Sequence, residues 1–119
     1  MTILTDITRV APRSEALIRI YPNGSVTLNA RASELLGLEE RSCVSFRTDG
    51  RLVYVSKKPY AAYAVHMRGK TCRVRSTDLA RSLAESLQGY GAYRIEYENP
   101  EKDFDGDPAY PIFFKKYLQ

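Results

Sequence analysis

Arginine alternates with apolar residues along Lys70-Thr71-Cys72-Arg73-Val74-Arg75. Neighbouring side chains of an extended chain point to opposite faces, so burying Cys72 and Val74 sets Arg73 and Arg75 together on the open face. Arg68 and Lys70 stand at the adjacent turn, and Arg19 lies on another alternating stretch far upstream. Guanidinium groups in such a row bind phosphate oxygens, and in a major groove they reach a guanine edge through two parallel hydrogen bonds. Arg19, Arg68, Lys70, Arg73 and Arg75 are therefore the candidate contacts to duplex DNA. Ordinary solvated strands carry the same residue types, so the pattern names a face and not yet a ligand.

A second constellation is acidic, Asp103-Phe104-Asp105-Gly106-Asp107. Its carboxylates and glycine turn resemble part of a calcium loop, but the remaining ligands of a twelve-residue EF-hand loop are missing. Asp103, Phe104, Asp105 and Asp107 are read instead as a solvated loop and a candidate contact to a basic protein partner. His66 is the sole histidine, which leaves no histidine cluster for a metal and no histidine-paired nucleophile of the usual kind. The two cysteines, Cys43 and Cys72, form no Cys-x-x-Cys pair and are read as buried free thiols. No glycine-rich phosphate loop occurs. These residues suggest neither a cofactor nor a catalytic role.

The chain has 119 residues, 44% hydrophobic and 27% charged, which fits one folded domain over 1–119. The net charge of +4 is unevenly spread. Glu96, Glu98, Glu101, Asp103, Asp105 and Asp107 gather in one block, and the rest of the chain is distinctly basic. The nine tyrosines suit barrel strands, interfaces or stacking on bases. No apolar run approaches a membrane span, and the first residues lack the basic start and apolar core of a signal peptide. The expectation is a cytoplasmic protein without a membrane partner.

The elements that must position these groups follow from periodicity. Residues 1–15 read as an N-terminal arm. Strands are expected over Ala16–Tyr21 and from Val26 to Leu28, joined by a two-residue turn at Asn23-Gly24. Asn29 suits the N-cap of a short helix, Ala30–Leu36, with Gly37 in the left-handed position after it. Val44 and Phe46 begin a second hairpin, with a two-residue turn at Asp49-Gly50 and a return from Leu52 to Val55. Residues 59–63 form a linker after the first unit, 16–58. The second unit, 64–119, repeats the order. Strands Ala64–Met67 and Lys70–Arg75 precede a helix Thr77–Leu87, capped by Ser76 and ended by Gly89 or Gly91. Its apolar stripe is Leu79, Leu83 and Leu87. Strands Ala92–Tyr97 and Tyr110–Lys116 close the chain. Two hairpin-helix-hairpin units in tandem suggest an internal duplication.

The first unit resembles the AbrB/SpoVT/MazE family of swapped-hairpin proteins. The resemblance rests on Gly24-Ser25-Val26-Thr27-Leu28, on Leu36-Gly37-Leu38, and on Val44-Ser45-Phe46 followed by Asp49-Gly50 and Leu52-Val53-Tyr54-Val55. It implies an α+β fold, a small and mostly antiparallel β-barrel of the AbrB-like or cradle-loop type, built from two such units. It also implies DNA binding through strand residues, with Arg19 at a position that is often basic in the family. Ser25, Asn29, Ser33, Glu34 and Arg41-Ser42 depart from the family pattern. The basic residues collect on Arg68 to Arg75 instead.

Two functions are carried forward. One is a non-enzymatic DNA-binding transcriptional regulator or antitoxin-like protein. The other is a protein-interaction module, or a self-associating chain, that uses the tyrosine-rich surface or the acidic loop without DNA.

Overall fold

Both helices begin where the capping residues place them. Asn29 Oδ1 accepts the N–H of Ala32 at 2.9 Å and opens α1, Ala30–Leu36; Ser76 Oγ accepts the N–H of Leu79 at 3.2 Å and opens α2, Thr77–Leu87. Each cap satisfies an N–H that has no partner within its helix. Gly37 takes φ 67° after α1, and the N–H of Leu38 returns to the Ser33 carbonyl. The stripe Leu79, Leu83 and Leu87 is buried as its period requires.

The computed structural model describes residues 15–59, 63–96, 100–102 and 106–114. The N-terminal arm lies almost wholly outside these residues. Ten strands are present among the described residues: β1 Ala16–Ile20, β2 Ser25–Leu28, β3 Cys43–Thr48, β4 Val53–Lys58, β5 Tyr63–Ala64, β6 His66–Arg68, β7 Thr71–Arg75, β8 Gly91–Ile95, β9 Glu101–Lys102 and β10 Pro108–Phe114. They pair antiparallel in the order β5-β3-β4-β10-β8-β1-β2-β7-β6, and β9 adds to β10 alone. Val65 joins the two ends of that order, donating to the Ser42 carbonyl and accepting from the Arg41 N–H. The sheet therefore curls into a nearly closed antiparallel β-barrel with two helices, an α+β fold. Near closure leaves few unpaired strand edges.

The barrel core follows the alternation. Ile18, Ile20, Val26, Leu28, Val55 and Ile95 point inward and are essentially inaccessible. Each such side chain contributes about 1.5–3 kcal/mol relative to leaving it in water. No helix among the described residues is long and apolar enough to cross a membrane.

Several expectations are corrected. Neither Asn23-Gly24 nor Asp49-Gly50 is the central pair of a two-residue turn: both two-residue types need positive φ at the first central residue, and neither Asn23 nor Asp49 has it. The first turn is Pro22-Asn23-Gly24, closed by the Tyr21 N–H on the Ser25 carbonyl. Pro22, with its φ fixed near −65°, suits the start of this longer loop. The second is a two-residue turn one position further on, Gly50-Arg51, closed by the Asp49 N–H on the Leu52 carbonyl with Gly50 at φ 94°; Asp49 Oδ1 accepts the N–H groups of Arg51 and Leu52 at 2.8 and 2.9 Å. The cap of α2 is Gln88 at φ 77°, ahead of both glycines proposed for it. Cys72 is buried, but Cys43 is only half-buried. The expected strand Ala64–Met67 breaks at Val65. The last strand starts at Pro108 rather than Tyr110 and is described as far as Phe114; Lys115 and Lys116, expected to continue it, lie outside the described residues. Pro111 lies inside it: its carbonyl accepts the Glu96 N–H, but it has no N–H to return, and β8 stops just before.

Candidate nucleic-acid interface

Register places the predicted arginines on one surface. On β1, β2 and β7 the inward residues are apolar, so Arg19, Thr27 and Arg73 face outward. Arg19 pairs with Thr27, Thr27 with Arg73, and Arg73 with His66 of β6. These four residues form a single row across four adjacent strands. Arg75 stands opposite Ser25, and Arg68 opposite Thr71, on the flanking rows. Strands are spaced about 4.8 Å apart, so Arg19 and Arg73 lie about 10 Å from each other along the row.

The outward positions of β8, β1, β2, β7 and β6 are Ala92, Arg94, Leu17, Arg19, Ser25, Thr27, Thr71, Arg73, Arg75, His66 and Arg68; none is acidic. Three carboxylates among the described residues, Glu15, Glu96 and Glu40, sit at the borders and are already engaged. Glu96 accepts from Arg94 at 2.7 Å, and that guanidinium also lies over the Phe113 ring. Glu40 Oε1 accepts the Met67 N–H at 2.8 Å, and its Oε2 lies 3.0 Å from His66 Nδ1. The Met67 N–H, then nearby His66, hold the Glu40 carboxyl below the usual carboxylate range.

Several other cations have carboxylate partners. Arg31 meets Glu34, Arg81 meets Asp78, and buried Lys58 meets Asp107 at 3.0 Å. Arg19, Arg68, Arg73 and Arg75 form no ion pair with any described residue. Gathering like charges without counter-ions works against folding. The arrangement suits an external anion that neutralises them together.

Individual placements differ from the sequence reading. Arg19, Arg68 and Arg75 are exposed, whereas Arg73 is half-buried between its neighbours. Lys70 is exposed in the β6–β7 turn and borders a cleft of about 540 Å³ beside α1, apart from the arginine row. Asp103, Phe104 and Asp105 lie outside the described residues. Asp107 is the partner of Lys58. Lys58 was not singled out in the sequence; its signal is that successive lysines on a strand cannot both face solvent, and Lys57 takes the open side. Thr27 and His66 were missed as row members, because their place depends on which strands become neighbours.

Elsewhere the perturbed groups serve structure. The N–H groups of Leu52 and Arg51 lower the Asp49 carboxyl, and burial raises the Cys72 thiol and the Tyr93 hydroxyl. A groove of about 360 Å³ between β4 and β9 is lined by Arg47, Asp49, Tyr54, Ser56, Glu101 and Lys102. No group of three or more metal-ligating side chains occurs among the described residues. No protein-family model, curated protein or solved structure matches this chain.

Proposed function

We propose that this chain is a non-enzymatic DNA-binding protein of the transcriptional-regulator or antitoxin kind, resembling AbrB/SpoVT/MazE proteins. It lays the β8-β1-β2-β7-β6 face against duplex DNA. The observation that carries the reading is the set of four unpaired arginines on a surface without free carboxylates. Five strands at about 4.8 Å spacing span about 19 Å, wider than a major groove of about 12 Å. The face as a whole therefore rests along phosphates, and base readout falls to one or two central side chains such as Arg73.

The fold side of the reading is an internal duplication, with residues 16–58 and 64–119 as hairpin-helix-hairpin units that exchange hairpins. Its support is the strand order. The β1–β2 hairpin lies between β8 and β7, and the β3–β4 hairpin lies between β10 and β5. Four ladders join the units, β1 with β8, β2 with β7, β3 with β5 and β4 with β10, so each strand of the first unit pairs with one of the second.

The test is fluorescence anisotropy with labelled duplex DNA over a range of salt. About four phosphate contacts give a slope of log affinity against log salt of about −3.6. Arg73→Ala with Arg75→Ala should weaken binding and reduce that slope by about 2. Absence of duplex binding at low salt, or a double variant that binds with an unchanged slope, sinks the reading.

A further inference from the structure

Large apolar side chains exposed among the described residues are Tyr21 at 36%, Tyr63 at 40% and Tyr90 at 46%. Single exposed aromatics are common and need no explanation. Tyr21 and Tyr90 are set apart by where they stand. Ile20 pairs with Gly91 at the end of the β1–β8 ladder; Tyr21 follows the first and Tyr90 precedes the second. Both tyrosines therefore leave the sheet at the same end. The Tyr21 N–H bonds the Ser25 carbonyl, so Tyr21 is still in register with β2, two residues on from Arg19 and on the same side. Ser25 in turn faces Arg75. Tyr21 thus borders the arginine surface directly, with only the small Ser25 between it and Arg75, and Tyr90 lies across from Tyr21, one residue beyond the β1–β8 ladder.

We propose that Tyr21 and Tyr90 form a stacking subsite for unpaired DNA bases, beside the arginines that hold the phosphates. The proposal rests on the reading of that surface as DNA-binding. A base inside a duplex offers a protein only its edges, because its faces are stacked on its neighbours. An aromatic ring gains from a base only when that face is free, which requires a single-stranded segment. The surface supplies both halves of such recognition: cations along the backbone path and two rings at its end. The occupant is a short unpaired stretch flanking the duplex, at a melted or frayed end. One stacked base is worth about 5- to 150-fold in affinity.

Two labelled probes test this by anisotropy: a blunt duplex, and the same duplex carrying an unpaired extension of about three nucleotides. The intact protein should bind the extended probe at least about 5-fold more tightly. Tyr21→Ala with Tyr90→Ala should lower the affinity for the extended probe to that for the blunt one. Tyr21→Phe with Tyr90→Phe keeps the rings and should keep the preference, which separates stacking from hydrogen bonding by the hydroxyls and from loss of fold. Equal affinity of the intact protein for both probes overturns the stacking subsite and leaves the duplex reading standing. A preference that survives the alanine pair, or one lost in the phenylalanine pair, also overturns it. No binding to either probe overturns both.

Discussion

Glu40 closes the barrel seam with a side chain where a strand would otherwise be needed. Its carboxylate takes the Met67 N–H and faces His66, at the end of the row that contains Arg73. Because the folded state lowers its pKa, the contribution of this contact is complete above the ordinary carboxylate range. It is lost as pH falls through the lowered folded value. The Met67 amide should therefore be protected from hydrogen exchange at neutral pH and lose protection, corrected for intrinsic rate, on acidification. Glu40→Ala should remove protection at all pH values, and Glu40→Gln should keep it with no acid transition. Equal protection in the intact protein and Glu40→Ala would show that the carboxylate does not hold the seam. None of this was legible in Glu39-Glu40-Arg41-Ser42, which reads only as a polar turn. What could be read at this scale were groups whose partners lie a few residues away, such as the caps Asn29 and Ser76. Lys58 and Asp107 lie far apart in the chain, and their pairing depends on the long excursion between β8 and β10.

The first hairpin turn shows how elements are locked to one another. Gly24 has φ 99°, and its carbonyl accepts the N–H of Ser76 at 2.8 Å, at the start of α2. A Cβ on Gly24 would lie 2.9 Å from Thr77 Oγ1 and 3.3 Å from the Thr77 Cα. Gly50 has a similar φ of 94° but nothing within 4 Å of where its Cβ would be. Gly50→Ala should therefore cost only the conformational penalty, about 1–2 kcal/mol. Gly24→Ala adds the displacement of α2, a further 1–3 kcal/mol or so. Urea midpoints of the two variants measure the difference; similar losses would mean that the close approach to Thr77 relaxes freely. Asn-Gly and Asp-Gly marked the places of both turns correctly, since glycine supplies positive φ in either kind of loop. The first was read one residue too short and the second one residue too early, because the pairing register fixes where each strand ends, and a dipeptide does not carry that information. β5 and β9, of two residues each, lack a local signal for the same reason.

The barrel and its arginine surface both depend on pairing between distant parts of the chain. β1 and β2 border β8 and β7, β4 borders β10, and β3 borders β5, so each strand of the first half has one neighbour in the second. Alternation identified Arg73 and Arg75 as companions from their own strand. Arg19 joins them only because β2 lies between β1 and β7, a long-range fact that residue spacing does not contain. The same interleaving makes the halves dependent on one another. Cut off from residues 60–119, the piece 1–59 would expose a strand edge at each lost ladder, and such edges seek new partners. Produced together as separate chains, 1–59 and 60–119 should assemble one to one with the circular dichroism of the intact protein. Produced alone, 1–59 should self-associate, a second copy offering its hairpins where the missing half did. Size-exclusion chromatography with light scattering reads both results. A folded, monomeric 1–59 with protected strand amides would contradict hairpin exchange, because half of those ladders would have formed without their partners.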